Sequence, residues 1–168
     1  HPHCRRQRQM CIRDSVRLYW DQAVYKKPGT RDEFPWHQDN GYTFIEPQAY
    51  LTCWVALTDT DETNGCPCVL PGLHRHGTLH HDTTDLGHEI GLDSTDSLSI
   101  PLKAGSIAIF SSLTPHRTGP NLSDKVRKSY ILQYAPEGAR RLISHTLTEE
   151  VNDESRQFLI LKDGLAVD

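Results

Sequence analysis

Two pairs in this chain set a histidine two residues before an aspartate: His37 with Asp39 and His80 with Asp82. An imidazole and a carboxylate that reach one point can hold a transition-metal ion. With a second histidine on the same octahedral face, three positions stay open, as in non-haem iron(II) oxygenases. Spacing does not choose between the pairs, because ten His and fourteen Asp in 168 residues give roughly one such pair by chance. Strand context does choose. Alternate side chains of a strand share a face, so in Phe34-Pro35-Trp36-His37-Gln38-Asp39 the pair is expected to point one way, with Gln38 turned aside. His80-His81-Asp82 lies in a stretch without clear period and reads as a solvated polar loop. His116, in Leu113-Thr114-Pro115-His116, follows an apolar strand and is the expected third ligand, its approach stiffened by Pro115.

An iron site that takes a keto acid through two positions also needs a cation for the acid's distant carboxylate. Arg127 fits that need, eleven residues after His116 and at the start of Arg127, Ser129, Ile131 and Gln133 on one strand face. Its planar fork matches a carboxylate with two parallel hydrogen bonds and keeps its charge when buried. Thr118 could add a hydroxyl. The competing reading pairs Arg127 with an acidic surface residue.

The elements that must position these groups read mainly as strands. Val16, Leu18, Trp20, Gln22, Val24 and Lys26 form one face of a long strand, broken at Lys27-Pro28-Gly29-Thr30. Shorter strands are expected at 36–42, 50–58, 98–102, 106–110 and 127–134, with a brief apolar run at Val69-Leu70 and one further strand near 157–161. A short helix is expected at 149–157, and Leu73 to Ser97 is a long excursion with neither period. Seven or so short strands with Gly and Pro turns indicate an all-β sandwich or barrel, and a double-sheet jelly roll is the expected form.

Composition bounds the function. With 36% hydrophobic and 24% charged residues the chain suits one soluble domain. It has no apolar run of membrane-spanning length and no signal-like start, so a cytoplasmic location without a membrane partner is expected. Cysteines 4, 11, 53, 66 and 68 are odd in number and read as reduced structural thiols. Residues 1–15 differ sharply in composition and resemble translated read-through of a sequencing adapter. They are expected to be a non-native or disordered tail before a domain at 16–168 whose natural beginning is missing. Without the tail's four Arg and one Asp, the net charge of −4 becomes −7. Such acidity argues against nucleic acid; nothing fixes the oligomeric state.

Taken together, the residues resemble the phytanoyl-CoA dioxygenase family of iron(II)- and 2-oxoglutarate-dependent oxygenases over roughly 16 to 165. The resemblance runs through Asp21-Gln22, Lys26-Lys27-Pro28-Gly29-Thr30, Pro35-Trp36-His37-Gln38-Asp39, Leu51-Thr-Cys-Trp54-Val-Ala-Leu57, Asn64-Gly65-Cys66, Leu70-Pro71-Gly72-Leu73-His74-Arg75-His76-Gly77, Lys103-Ala-Gly105 and His116-Arg-Thr-Gly-Pro-Asn121 to Arg127. Pro67 and Leu73 depart from the family's usual apolar residue and serine. The resemblance implies a double-stranded β-helix, jelly-roll and cupin-like, with few short helices. It implies His37, Asp39 and His116 as ligands of Fe(II) and as the catalytic set, with Arg127 binding the far carboxylate of 2-oxoglutarate. Lys26 is similar to a family lysine near that cosubstrate, and Gln22 and Thr118 complete the candidate cofactor contacts. Dioxygen is the co-reactant, a small organic substrate is hydroxylated, and succinate and CO2 are released. Asp39 favours hydroxylation, since a smaller residue there would free a coordination site as in related halogenases. The alternatives are a non-catalytic jelly roll, a metal-binding pseudoenzyme, or a cupin-like metal isomerase with no use for Arg127.

Overall fold

The long strand β1 (Val16–Lys26) and its partner β11 (Arg127–Pro136) form the spine of the molecule, described here from a computed structural model covering residues 15–48, 50–92, 96–144 and 146–167. Apart from Ser15, the expected 1–15 tail lies outside these residues. Between the two run β2 (Phe34–His37), a helical turn α1 (Asp39–Tyr42), β3 (Ile45–Glu46), β4 (Leu51–Ala56), β5 (Pro67–Val69), β6 (Asp82–Thr84), β7 (Gly87–Glu89), β8 (Leu98–Ser99), β9 (Ile107–Ser111) and β10 (His116–Thr118). After β11 come β12 (Arg140–Leu142), β13 (Thr148–Glu150), β14 (Leu159–Lys162) and β15 (Leu165–Ala166).

Six strands make the larger sheet in the order β15-β14-β1-β11-β4-β9, and four make the smaller, β2-β10-β5-β8. Their register puts chemistry at fixed points. His116 on β10 lies opposite His37 on β2, while on the larger sheet Arg127 lies opposite Lys26, Gln133 opposite Thr52, and Ile131 opposite Trp54. The fold is the expected double-stranded β-helix. Its interior between the sheets holds Trp54, Ala56 and Ile131, with Val24, Ala108 and Phe110 against them. The outer face keeps Leu51, Leu57, Ile107 and Ile109 exposed.

Four expectations about elements need correction. The strand forecast at 36–42 is β2 followed by α1, because Asp39 to Tyr42 turn back toward Ser112, with the Asn40 N–H donating to the Ser112 carbonyl at 3.2 Å. The alternation of β1 breaks at an irregularity between Leu18 and Trp20. Tyr19, not its neighbours, is therefore buried, packing edge-on against Tyr50 at 5.6 Å. The excursion 73–97 contains a 3₁₀ turn at Leu73–His76 and the hairpin β6-β7, both too short to carry a period. The helix forecast at 149–157 is absent: β13 pairs with β12 there, and a turn capped by Asp153 follows.

Candidate metal centre

The site is assembled where β2 ends. Cross-strand pairing brings the His37 and His116 rings to a centroid separation of 4.1 Å. Each imidazole has one nitrogen committed: Nδ1 of His37 lies 2.9 Å from the Pro35 carbonyl and Nδ1 of His116 lies 3.0 Å from the Thr114 carbonyl. A carbonyl only accepts, so Nδ1 carries the proton in both rings, and each Nε2 lone pair is free for a metal. Asp39 completes the set, with Oδ1 3.8 Å from each Nε2. The three ligand atoms lie within 4.8 Å of one another. Burial and the neighbouring His116 push the pKa of His37 well below the ordinary histidine range, so the ring stays neutral, the form that ligates.

Asp39 arrives by a different route from the one the strand period suggests. It opens α1, and its other oxygen, Oδ2, accepts a hydrogen bond from the Thr52 hydroxyl on β4. That bond ties α1 to the larger sheet and leaves Oδ1 for the metal. Gln38 is turned from the metal but is fully buried, not solvated. Its amide donates to the carbonyls of Gly77 (3.0 Å) and Leu113 (2.6 Å) and accepts from the Leu79 N–H (2.7 Å), tying the excursion to the loop before His116. Its own N–H donates to Nε2 of His81 at 2.9 Å. Gly41 makes room for that ring, since a β-carbon there would stand 2.1 Å from His81 Cε1. Thr52, Asn40, Gly41 and His81 are supports that spacing did not identify. The available signal was the run Gln38-Asp39-Asn40-Gly41, more polar than a half-buried strand tolerates.

His80 and Asp82 pair at 3.3 Å on the surface, with side chains 87% and 74% exposed, as expected of a solvated loop. Among the described residues, His37, Asp39 and His116 form the metal-capable cluster.

Arg127 occupies a different kind of place. It is 2% exposed, donates from Nη1 to the Ser129 hydroxyl at 2.8 Å, and lies over the Trp54 ring at 5.3 Å. Its Nε has no partner, and among the described residues no carboxylate pairs with it. Burial pulls its pKa down to about 10, which leaves it charged at neutral pH. A buried guanidinium without an anion is costly, and its position favours an incoming carboxylate. Thr52 and Trp54 are successive inward residues of β4. The first holds Asp39 and the second carries Arg127, so the cation sits one inward residue along the strand from the metal ligands. These features fit iron(II) and 2-oxoglutarate.

The remaining candidates divide. Lys26, beside Arg127 and drawn down to about pKa 8 by burial and that neighbour, donates its ammonium protons to the Thr118 carbonyl and hydroxyl, both at 3.3 Å, and to the Gly119 carbonyl. Lys26 and Thr118 thus hold each other, a clasp between β1 and β10 beside Arg127. Gln22 is exposed and lines a cavity of about 470 Å3 together with His37 and Asp39. Aromatic walls come from Tyr19, Phe34, Tyr42 and Tyr50. Cys53, Cys66 and Cys68 are free thiols as expected; Cys4 and Cys11 lie outside the described residues. No helix among the described residues is long and apolar enough to cross a membrane.

The sequence pattern of the phytanoyl-CoA dioxygenase (PhyH) family matches residues 2–129. A phytanoyl-CoA dioxygenase of Arabidopsis thaliana is 32% identical over 115 residues, covering 65% of this chain and 41% of the relative. A methylphosphonate hydroxylase of Gimesia maris is 33% identical over 118 residues, covering 70% and 44%. Among solved structures, EvdO2 of Micromonospora carbonacea var. aurantiaca complexed with 2-oxoglutarate superposes with a TM-score of 0.65 at 31% identity, covering 71% of this chain and 53% of that one. The chain spans less than half the length of these two curated relatives.

Proposed function

Because the chain belongs to the phytanoyl-CoA dioxygenase family, we propose that it is the metal- and cosubstrate-binding part of an iron(II)- and 2-oxoglutarate-dependent dioxygenase that hydroxylates a small organic substrate. The observation that carries the reading is the pairing of two incomplete sites: three convergent ligand atoms, and a buried guanidinium with no anion one inward residue away. Either alone has bland explanations. Together they match a cosubstrate that chelates at one end and is anionic at the other.

In this reading His37, His116 and Asp39 hold the iron, their orientation fixed by the Pro35 and Thr114 carbonyls and by Thr52. Arg127, steadied by Ser129 and Trp54, receives the far carboxylate of 2-oxoglutarate. Iron(II) with 2-oxoglutarate and dioxygen would supply the oxidising power, with succinate and CO2 leaving as co-products. Phe34 and Tyr42 beside His37, at 4.7 and 5.3 Å between ring centroids, limit water near the metal. The names of the relatives, phytanoyl-CoA dioxygenase and methylphosphonate hydroxylase, span very different sizes, so the substrate must be read from this chain's own cavity.

Anaerobic titration with iron(II) and 2-oxoglutarate, watched for the visible charge-transfer band of the chelate, tests the proposal. His37→Ala should abolish the band and His80→Ala should leave it intact. A metal-loaded protein with no band would overturn the oxygenase reading, and the opposite response of the two variants would overturn the choice of ligands.

A further inference from the structure

The cavity over His37 and Asp39 has a second cationic feature, distinct from Arg127, which is not among its lining residues. One part of its lining, called here the rim, is Arg141, Asp153, Arg156 and Gln157, all beyond residue 129, where the family pattern ends. The residues proposed for iron and 2-oxoglutarate all lie within that pattern, so the rim belongs to a part of the chain free to differ with substrate.

Arg156 is the unusual member. Its guanidinium lies 4.8 Å from the centroid of the Trp20 ring, and among the described residues it has no ion pair or side-chain hydrogen bond. Other arginines near it are satisfied: Arg141 by Glu149 at 2.6 Å and Arg17 by Glu137 at 3.1 Å. The carboxylate of Asp153 also lines the cavity and feels the Arg156 charge without a direct ion pair; its Oδ1 accepts from the Ser155 N–H (3.0 Å) and hydroxyl (2.6 Å), which caps the turn that carries Arg156. That turn is anchored. Arg17 donates to the Gln157 carbonyl at 3.0 Å, and the Leu18 N–H donates to the Phe158 carbonyl at 2.8 Å. Arg156 is thus an exposed fork without an ion pair, over an aromatic ring, lining the cavity that His37 and Asp39 also line.

We propose that the substrate is a small organic acid, a carboxylate or a phosphonate, whose anionic group is received by Arg156 over Trp20 while its carbon portion lies against Phe34 and Tyr42 above the metal. Arg suits this role because its fork binds either acid group through two hydrogen bonds. A cavity of about 470 Å3 is in the range that encloses a small molecule. The inference rests on the oxygenase reading for the orientation of the substrate, but the charge preference stands on the rim alone.

The test uses the full chain loaded anaerobically with iron(II) and 2-oxoglutarate, so that the chelate band reports the oxygenase reading separately. Phenylacetate, phenylphosphonate and the neutral 2-phenylethanol are titrated by calorimetry. The acids should bind about tenfold or more tightly than the alcohol, from hydrogen bonds to a charged group. Arg156→Gln should erase that preference without moving the chelate band, and Arg156→Glu should turn it toward phenylethylamine. Equal binding of acid and alcohol, no acid binding at millimolar concentration, or a preference that survives in Arg156→Gln would overturn the proposal. A missing chelate band with the acid preference intact would instead remove the oxygenase reading and leave the anion site standing.

Discussion

Replacing Arg127 with methionine should separate the stability of the fold from its affinity for 2-oxoglutarate. In the free protein the guanidinium is buried without an anion, and its pKa falls from 12.5 to about 10. That depression corresponds to about 3 kcal/mol against the charged form, and the penalty applies in full below about pH 10. Methionine removes it, losing in exchange the hydrogen bond to Ser129 and the contact with Trp54, each worth about 1–2 kcal/mol. The terms nearly cancel. The free variant should therefore unfold within about 1 kcal/mol of the parent, or about 3 °C for a domain of this size. With 2-oxoglutarate the balance differs, because removing one partner of a buried pair costs about 3–5 kcal/mol, roughly a hundredfold to several thousandfold in Kd. Differential scanning calorimetry of the free protein and titration of 2-oxoglutarate into the metal-loaded protein measure the two effects. If Arg127 were a structural residue, the melt would fall by several degrees while the affinity moved less than tenfold, and that pattern would refute the reasoning.

Three further perturbations probe the supports. Thr52→Val removes the hydroxyl that holds Asp39 Oδ2 and should weaken metal binding about 10–100-fold, measured by competition with a chromophoric chelator; unchanged affinity would mean that Asp39 is held by other means. Gly41→Ala places a methyl 2.1 Å from His81 and should destabilise by about 1–3 kcal/mol, with recovery in the double variant Gly41→Ala/His81→Ala; failure to recover would point to the backbone instead. Lys26, lowered by burial from 10.5 to about 8, binds its proton less readily folded than unfolded. Its contribution to stability is present above about pH 10.5 and is lost as pH falls toward 8. Urea midpoints should thus fall less steeply over that window in Lys26→Met than in the parent, and parallel profiles would count against the shift.

The larger sheet was legible because β1, β4 and β11 are long enough to display a period, and β4 and β11 alternate in burial residue by residue. His37 and Asp39 were chosen on that same period, yet only His37 lies on a strand. Asp39 converges because α1 folds it back onto Thr52, a contact between distant parts of the chain that no local pattern encodes. The clasp of Lys26 on residues 118 and 119 was hidden for a similar reason: face agreement places a lysine near Arg127, but the carbonyls that capture it belong to the other sheet. β12 and β13, three residues each, were unreadable because so short a strand has no alternation to detect.

This difference in legibility follows a division of labour. Holding iron and a keto acid requires particular atoms, so His37, Asp39, His116 and Arg127 can be nominated from residue type and order. The acid-binding rim requires only a cation at the right height above the metal. Many residues on many loops could supply it, and here Arg156 does so from a turn after β13. Arg127 and its neighbours stand on β1, β4 and β11, whereas the cavity is lined by the start of β1 and by Arg141, Asp153, Arg156 and Gln157. The irregularity at Tyr19 lets the successive residues Tyr19 and Trp20 both line that cavity with Gln22, while Lys26 lies farther along the sheet. One strand therefore serves both. Changes after residue 137 should alter which acid is accepted without altering 2-oxoglutarate affinity, because no described residue of that segment touches Arg127, Trp54 or Thr52 by hydrogen bond or ring contact.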